Sequence, residues 1–328
     1  MSRLVPTSTT AIPVSDKTEG SDAAKLVVEK HEFAAPQQPA REKIVYLWSH
    51  ANGFSKELMH PLMRRFLTQL RKLEQYNNTD VHFIAWDARN HGDSARLNEG
   101  IHNPKFNWFD NAMDTKQIID ELELKSYDKL IGVGHSFGAT AMILCEFLYP
   151  GTFDGLTLIE PVIHGDLPPH ALRVKFPAIA VTLKRRDTWD SREACMKSLA
   201  GRPFWKAFHP EALENYVQYA LYDTTDGKVK LKCPKEEEHV VYINGSYGAL
   251  TAFAALRAIK IPLHFVHANS SGYVDPEFGK VIKEQSSFVT NAYVDGSHVV
   301  PLENPDIFVP EIIHLSERVR KQTAQAKL

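Results

Sequence analysis

Apolar and polar positions along the chain alternate between two patterns. Short, nearly continuous apolar runs rich in β-branched and aromatic residues are bounded by Gly, Asn and Asp. They are LVVEKHEF (26–33), IVYLWS (44–49), VHFIAW (81–86), KLIGVG (129–134), GLTLIE (155–160), IPLHFV (261–266) and SFVTNAYV (287–294). Runs of this length and composition predict buried strands. Between them, apolar residues recur at helical spacing. In 55–75, Leu58, Leu62, Phe66 and Leu70 stand four apart, behind Ser55 at the cap position and Pro61 in an early turn, which predicts a helix. Stretches 107–122, 139–148 and 305–320 read the same way. Strands alternating with helices predict an α/β architecture, a mostly parallel sheet covered by helices on both faces.

The rhythm breaks between 165 and 260. No convincing strand occurs there, but helix-like segments carry Trp189, Phe204, Trp205, Phe208, Tyr216, Tyr219 and Tyr222. An insertion of that size predicts a helical cap on the sheet's edge. The first twenty residues, MSRLVPTSTTAIPVSDKTEG, are rich in Ser and Thr and read as a loosely attached leader. The expected organisation is therefore a flexible segment over 1–22, an α/β core over 23–164 and 261–325, a cap over 165–260, and a short tail over 326–328.

Composition narrows the function classes. With 328 residues, 43% hydrophobic and 24% charged, the chain reads as a soluble globular protein with a large core. A net charge of −2 supplies no basic field for nucleic acid. No run approaches the roughly 18 apolar residues of a membrane span, and no secretory signal is visible. Cys145, Cys195 and Cys233 are odd in number and far apart, which argues for a reducing compartment. Neither C-x-x-C nor H-E-x-x-H occurs, so no structural or protease-type metal site is expected.

The chemistry gathers around IGVGHSFGAT (131–140), where Gly134-His135-Ser136-Phe137-Gly138 fits G-x-S-x-G. The motif alone is weak, but a strand runs straight into it and a helical pattern with Ala139, Ala141, Leu144 and Leu148 follows. That strand-to-helix turn is the context a nucleophile elbow requires. The same glycines loosely match a dinucleotide-binding turn with Glu160 as its ribose acid, but the third glycine falls one place late. A serine nucleophile needs a base, an acid to orient the base, and donors for the oxyanion. His298, in the small-residue loop GSH after the last strand, is the candidate base. The backbone N–H of Phe137 is one candidate oxyanion donor. The other is the N–H of Asn52 in SHANGFS, with Gly53 and Phe54 as open alternatives.

Together these residues resemble the α/β-hydrolase superfamily over about 25–320. HANGF (50–54), DARNHGDS (87–94), GHSFG (134–138) and GSH (296–298) stand in that superfamily's order. DARNHGDS is expected to be architectural. The resemblance is strongest to fungal peroxisomal members, namely acyl-CoA hydrolases of mycophenolic acid formation, hydrolases of host-selective toxin pathways, and the yeast peroxisomal lipase. It implies an α/β-hydrolase fold and a cofactor-independent serine hydrolase acting on a carboxylic ester or acyl-CoA thioester. C–C bond hydrolases or lyases, and catalytically silent binding proteins, share the fold and remain open. Most members place the triad acid in the loop that here reads HANSSGYVDPE, where Asn269, Ser270 and Ser271 cannot carry its charge. Some members, including the fungal acyl-CoA hydrolases, carry the acid one strand earlier, at the position of Glu160. Glu160 is thus the expected acid and Asp275 the alternative. Lys184-Arg185-Arg186 in the cap could meet the phosphates of a CoA thioester.

The final Ala326-Lys327-Leu328 has the chemical pattern of a Ser-Lys-Leu peroxisomal address, read by an import receptor. The expected location is the peroxisomal matrix, with the cytoplasm as the alternative.

Overall fold

The computed structural model describes residues 4–18, 24–165, 177–272 and 277–326. An eight-stranded sheet organises the chain in the order β1-β2-β4-β3-β5-β6-β10-β11. Its strands are β1 (Ser8–Pro13), β2 (Lys25–Phe33), β3 (Glu42–Ser49), β4 (Thr79–Trp86), β5 (Lys129–His135), β6 (Gly155–Ile159), β10 (Leu263–Ala268) and β11 (Val289–Val294). From β4 to β11 every neighbouring pair is parallel; β2 runs antiparallel to both β1 and β4.

Alternation within a doubly covered strand explains the unbroken apolar runs. Ile44, Tyr46 and Trp48 of β3 enter one core with the helix His60–Leu70 and the C-terminal helix Val309–Ala326. Val45 and Leu47 enter the opposite core with the helices Trp108–Glu121, Phe137–Leu148 and Ser246–Ala255. Both faces are buried, so neither alternate set can be polar. Leu62, Phe66 and Leu70 face the sheet as their spacing predicts, but the helix begins only at His60, and Leu58 joins a different core.

That other core lies in the insertion, and it corrects the expectation of a region without strands. β7 (Thr188–Trp189), β8 (Leu221–Asp223) and β9 (Val229–Leu231) form a small antiparallel sheet in the order β7-β9-β8. Helices Arg192–Ala200 and Pro210–Tyr219 pack with it around Trp189, Leu199, Phe208, Tyr216 and Leu231. Strands of two or three residues are too short to show a period. The tail of the insertion behaves differently: Val240, Val241, Ala249 and Ala252 belong to the main core.

The leader is also corrected. Residues 8–13 form β1, the sheet's edge strand. Five of its six side chains are exposed, so its apolar content is too low to betray it; backbone pairing with β2 holds it. Among the described residues no helix is long and apolar enough to cross a membrane.

Parallel register decides where the chemistry falls. Ser49 of β3 pairs with Gly134 of β5, His135 with Ile159 of β6, and Val266 of β10 with Ile159. The loops leaving the carboxyl ends of β3, β5, β6, β10 and β11 therefore lie side by side, where ligands bind in open α/β sheets.

Candidate active site

Ser136 sits between β5 and the helix Phe137–Leu148 at φ 53° and ψ −120°. A positive φ is costly for a non-glycine residue and must be imposed by its surroundings. The flanking glycines make it possible. A Cβ at Gly134 would lie 2.6 Å from the Ala139 Cα, and one at Gly138 would lie 2.4 Å from Ser49 Oγ and 2.5 Å from the His50 carbonyl. Gly138 thus lets the helix start press against the loop after β3. The turn is fixed by the Ser136 N–H donating to the Ile159 carbonyl at 2.9 Å.

Three of the expected residues meet here. Ser136 Oγ is 2.8 Å from His298 Nε2, and His298 Nδ1 is 2.9 Å from Glu160 Oε2. The carboxylate accepts, so the imidazole proton is on Nδ1 and Nε2 is free to accept from the serine. Glu160 is fully buried at the end of β6, itself at φ 48°. Its Oε1 accepts from the Ala268 N–H at 2.6 Å, and its Oε2 from the Ser271 hydroxyl. Ser271 belongs to the loop after β10, so that loop and the end of β6 meet at this carboxylate. Asp275 lies outside the described residues.

Amide accounting sorts the oxyanion donors. Phe137 is the first residue of its helix, so its N–H has no intrahelical partner. In the loop after β3, the Gly53 N–H donates to His91 Nε2 at 2.9 Å and the Phe54 N–H to the Ala51 carbonyl at 3.2 Å. The Asn52 N–H makes no hydrogen bond among the described residues. Of the three amides in that loop, Asn52 alone remains available.

Three histidines that residue-type reasoning passed over hold these loops. His135 Nε2–H donates to the His298 carbonyl at 2.8 Å, anchoring the loop of the candidate base. His50 Nε2 accepts from the Ala88 N–H at 3.1 Å while its Nδ1–H donates to the Ala51 carbonyl, and His91 receives Gly53. Burial pushes His135 down to about 3, His50 to about 4 and His91 well below the usual histidine range, so all three are neutral fasteners. His91 lies in DARNHGDS, which thereby braces the loop after β3. In the same turn, Asp87 accepts from the Lys56 N–H and Nζ and from the Asp93 N–H.

A cavity of about 540 Å³ opens above Ser136, lined by Trp108, Phe137 and Val162 of the main core and by Tyr216 and Val299 of the insertion's core. Phe204, Trp205 and Tyr216 give it an apolar wall, and Arg185 faces it in an ion pair with Glu238. Arg186 donates to the Thr188 carbonyl and lies over Trp189, so two of the three cations in the Lys184–Arg186 run are engaged within the protein. At the other end of the chain, the last helix reaches Ala326, while Lys327 and Leu328 lie outside the described residues.

Comparison with known proteins agrees with this fold. A family model described as the alpha/beta hydrolase family matches residues 45–311. The chain is 26% identical over 317 residues to the "peroxisomal membrane protein LPX1" of Saccharomyces cerevisiae, covering 90% of this chain and 81% of that one. It is 28% identical over 249 residues to the "type I acyl-CoA thioesterase mpaH" of Penicillium roqueforti, covering 69% of this chain and 54% of that one. The match thus spans about half of the thioesterase's length. Among solved structures, the peroxisomal alpha-beta-hydrolase Lpx1 of Saccharomyces cerevisiae superposes with a TM-score of 0.80 at 22% identity, covering 96% of this chain and 89% of that one.

Proposed function

Because the chain belongs to the alpha/beta hydrolase family, we propose that it hydrolyses a carboxylic ester or acyl thioester through an acyl-enzyme on Ser136. The observation that carries this reading is the relay from Ser136 Oγ to His298 Nε2 to Glu160, with the serine on a strained, positive-φ turn. In the first step Ser136 Oγ bonds to the acyl carbon while His298 Nε2 takes its proton. The carbonyl π pair moves onto oxygen, where the N–H groups of Asn52 and Phe137 receive it. Glu160 stays ionised and stabilises the imidazolium. Collapse breaks the bond to the leaving alcohol or thiol, which takes the proton from His298. Water then attacks the acyl-enzyme with His298 again as base, releasing the carboxylic acid and returning the proton to Ser136.

The part of the insertion that carries Phe204, Trp205 and Tyr216 serves as a lid whose aromatic wall takes the acyl chain. The acyl-CoA thioesterase name of a 28%-identical relative supports thioesters as one substrate class. A fluorophosphonate probe followed by turnover of acyl-CoAs, p-nitrophenyl esters and lactones tests the proposal. Wild type labels and turns over; Ser136→Ala does neither. A wild-type chain that resists the probe leaves the silent binding protein, and labelling without ester or thioester turnover points to C–C bond cleavage.

We further infer residence in the peroxisomal matrix, supported by Ala326-Lys327-Leu328; the name of the yeast relative supports the peroxisome as such. A fluorescent protein fused ahead of the chain is expected in puncta that coincide with a peroxisomal marker. Deletion of the three residues should disperse it, whereas a diffuse signal from the intact fusion supports the cytoplasm.

A further inference from the structure

We propose that Glu29, His31 and His60 form a binding site for a divalent metal ion of the zinc class, separate from the hydrolytic site. Glu29 and His31 are two apart on β2, so they project from the same face of the strand. His60 opens the helix His60–Leu70. In the sheet order, β2 is three strands removed from β5, which delivers Ser136.

The three donor atoms converge. Glu29 Oε2 is 3.0 Å from His60 Nε2 and 3.4 Å from His31 Nε2, and all three atoms lie within 4.8 Å of one another. Each is buried, and among the described residues none has a hydrogen bond of normal geometry, although both rings stand at ion-pair distance from the carboxylate. A hydrogen-bonded network would aim its N–H groups at oxygen. Ligands about 2.0–2.1 Å from a tetrahedral ion are separated by roughly 3.3 Å, close to the two carboxylate–imidazole distances here. His31 Nδ1–H donates to the Val5 carbonyl at 3.3 Å, which leaves the lone pair on Nε2 and supplies the outer-shell anchor typical of a metal-bound imidazole.

Glu29, Glu57, Asp87 and Asp93 cluster around the buried Lys56, and Lys232 adds a second ammonium on Asp93. The neighbouring trio Glu57, Asp87 and Asp93 could also be taken for a metal site, but the Lys56 ammonium sits among them at 2.7–2.9 Å. Lys56 stands 3.8 Å from Glu29 Oε1 and leaves Oε2 to the histidines. Since all three side chains are nearly inaccessible, the ion would fasten β2 to the helix that follows β3, with its fourth position left to water.

The test uses the full chain with any affinity tag removed. After incubation with Zn²⁺ and exhaustive dialysis, elemental analysis should find about one equivalent per chain. Chelation should lower the melting temperature by several degrees, and Zn²⁺ should restore it. Co²⁺ should give the visible bands of a tetrahedral nitrogen and oxygen site without thiolate charge transfer. His31→Gln and His60→Gln should each lose the ion. The proposal is overturned if folded wild type retains under about a tenth of an equivalent and its melting temperature ignores Zn²⁺ and chelator. It is equally overturned if both variants bind as wild type does. Should the variants fail to fold, the wild-type stoichiometry and Co²⁺ spectrum still decide. None of these readouts depends on hydrolysis, so failure here leaves the Ser136 proposal untouched.

Discussion

At the scale of single residues, the acid is the point on which the proposed chemistry turns. Glu160 holds His298 Nδ1–H while two other donors, the Ala268 N–H and the Ser271 hydroxyl, occupy the rest of its carboxylate. That arrangement fixes one imidazole tautomer and supplies charge for the imidazolium. A glutamine keeps the shape but loses the charge, and its amide can turn an N–H toward Nδ1 and reverse the tautomer. Glu160→Gln should therefore lower kcat by about 10³–10⁴ with KM little changed. Circular dichroism would verify the fold. Near-normal turnover in Glu160→Gln, with collapse in Asp275→Asn, would sink the assignment. Sequence alone could raise both acids, because each follows a candidate strand. The geometry at Glu160 shows a carboxylate already bonded to the histidine.

Among the elements, the loops at the carboxyl edge are tied by contacts that no local pattern encodes. The elbow was legible because its serine, its glycines and the adjoining strand and helix are contiguous. His50 and Ala88 are 38 residues apart, and His135 and His298 are 163 apart; such pairings arise from sheet register. His135 also makes a titration prediction. Burial holds its folded pKa near 3, against 6.5 for an unperturbed ring, with the neighbouring His298 acting in the same direction. A depressed folded pKa contributes stability above pH 6.5 that is lost as pH falls toward 3. His135→Gln keeps a donor for the His298 carbonyl but removes the titration. Its stability difference between pH 7 and pH 5 should be smaller than wild type's by about 2 kcal/mol. Urea unfolding at both pH values measures this, and parallel losses in the two proteins would refute it. Packing gives a second expectation for the same turn. Gly138→Ala places a methyl against Ser49 Oγ and the His50 carbonyl, and should cost about 1–3 kcal/mol along with much of the turnover.

For the molecule as a whole, what could be read from the chain tracks what is buried on two sides. The parallel strands announced themselves because both faces are covered, whereas β1 is mostly exposed and β7 to β9 span two or three residues each. The relation of cap to sheet was equally invisible, and the pair Arg185–Glu238 now defines part of it. Glu238 belongs to the helix Lys235–Ile243, whose Val240 and Val241 sit in the main core, while Arg185 lies in the cap segment over the cavity. Their contact ties one to the other, against the loop after β3: a Cβ at Gly53 would lie 2.9 Å from the Glu238 carboxylate. Burial raises the Glu238 carboxyl above its ordinary value, and Arg185 opposes that rise. Arg185→Leu removes the opposing charge, so Glu238 should move further up. A carboxyl whose folded pKa is raised contributes stability at low pH that is lost as pH climbs through that value. The variant should consequently be about 2 kcal/mol less stable than wild type at pH 8, and the deficit should shrink at pH 5. Arg185→Leu with Glu238→Gln removes the unpaired charge and should recover most of the loss at pH 8. Urea unfolding of the three proteins at both pH values decides the matter. If Arg185→Leu matches wild type at pH 8, or the double variant is no better than the single, the pair is not what fastens the cap over Ser136.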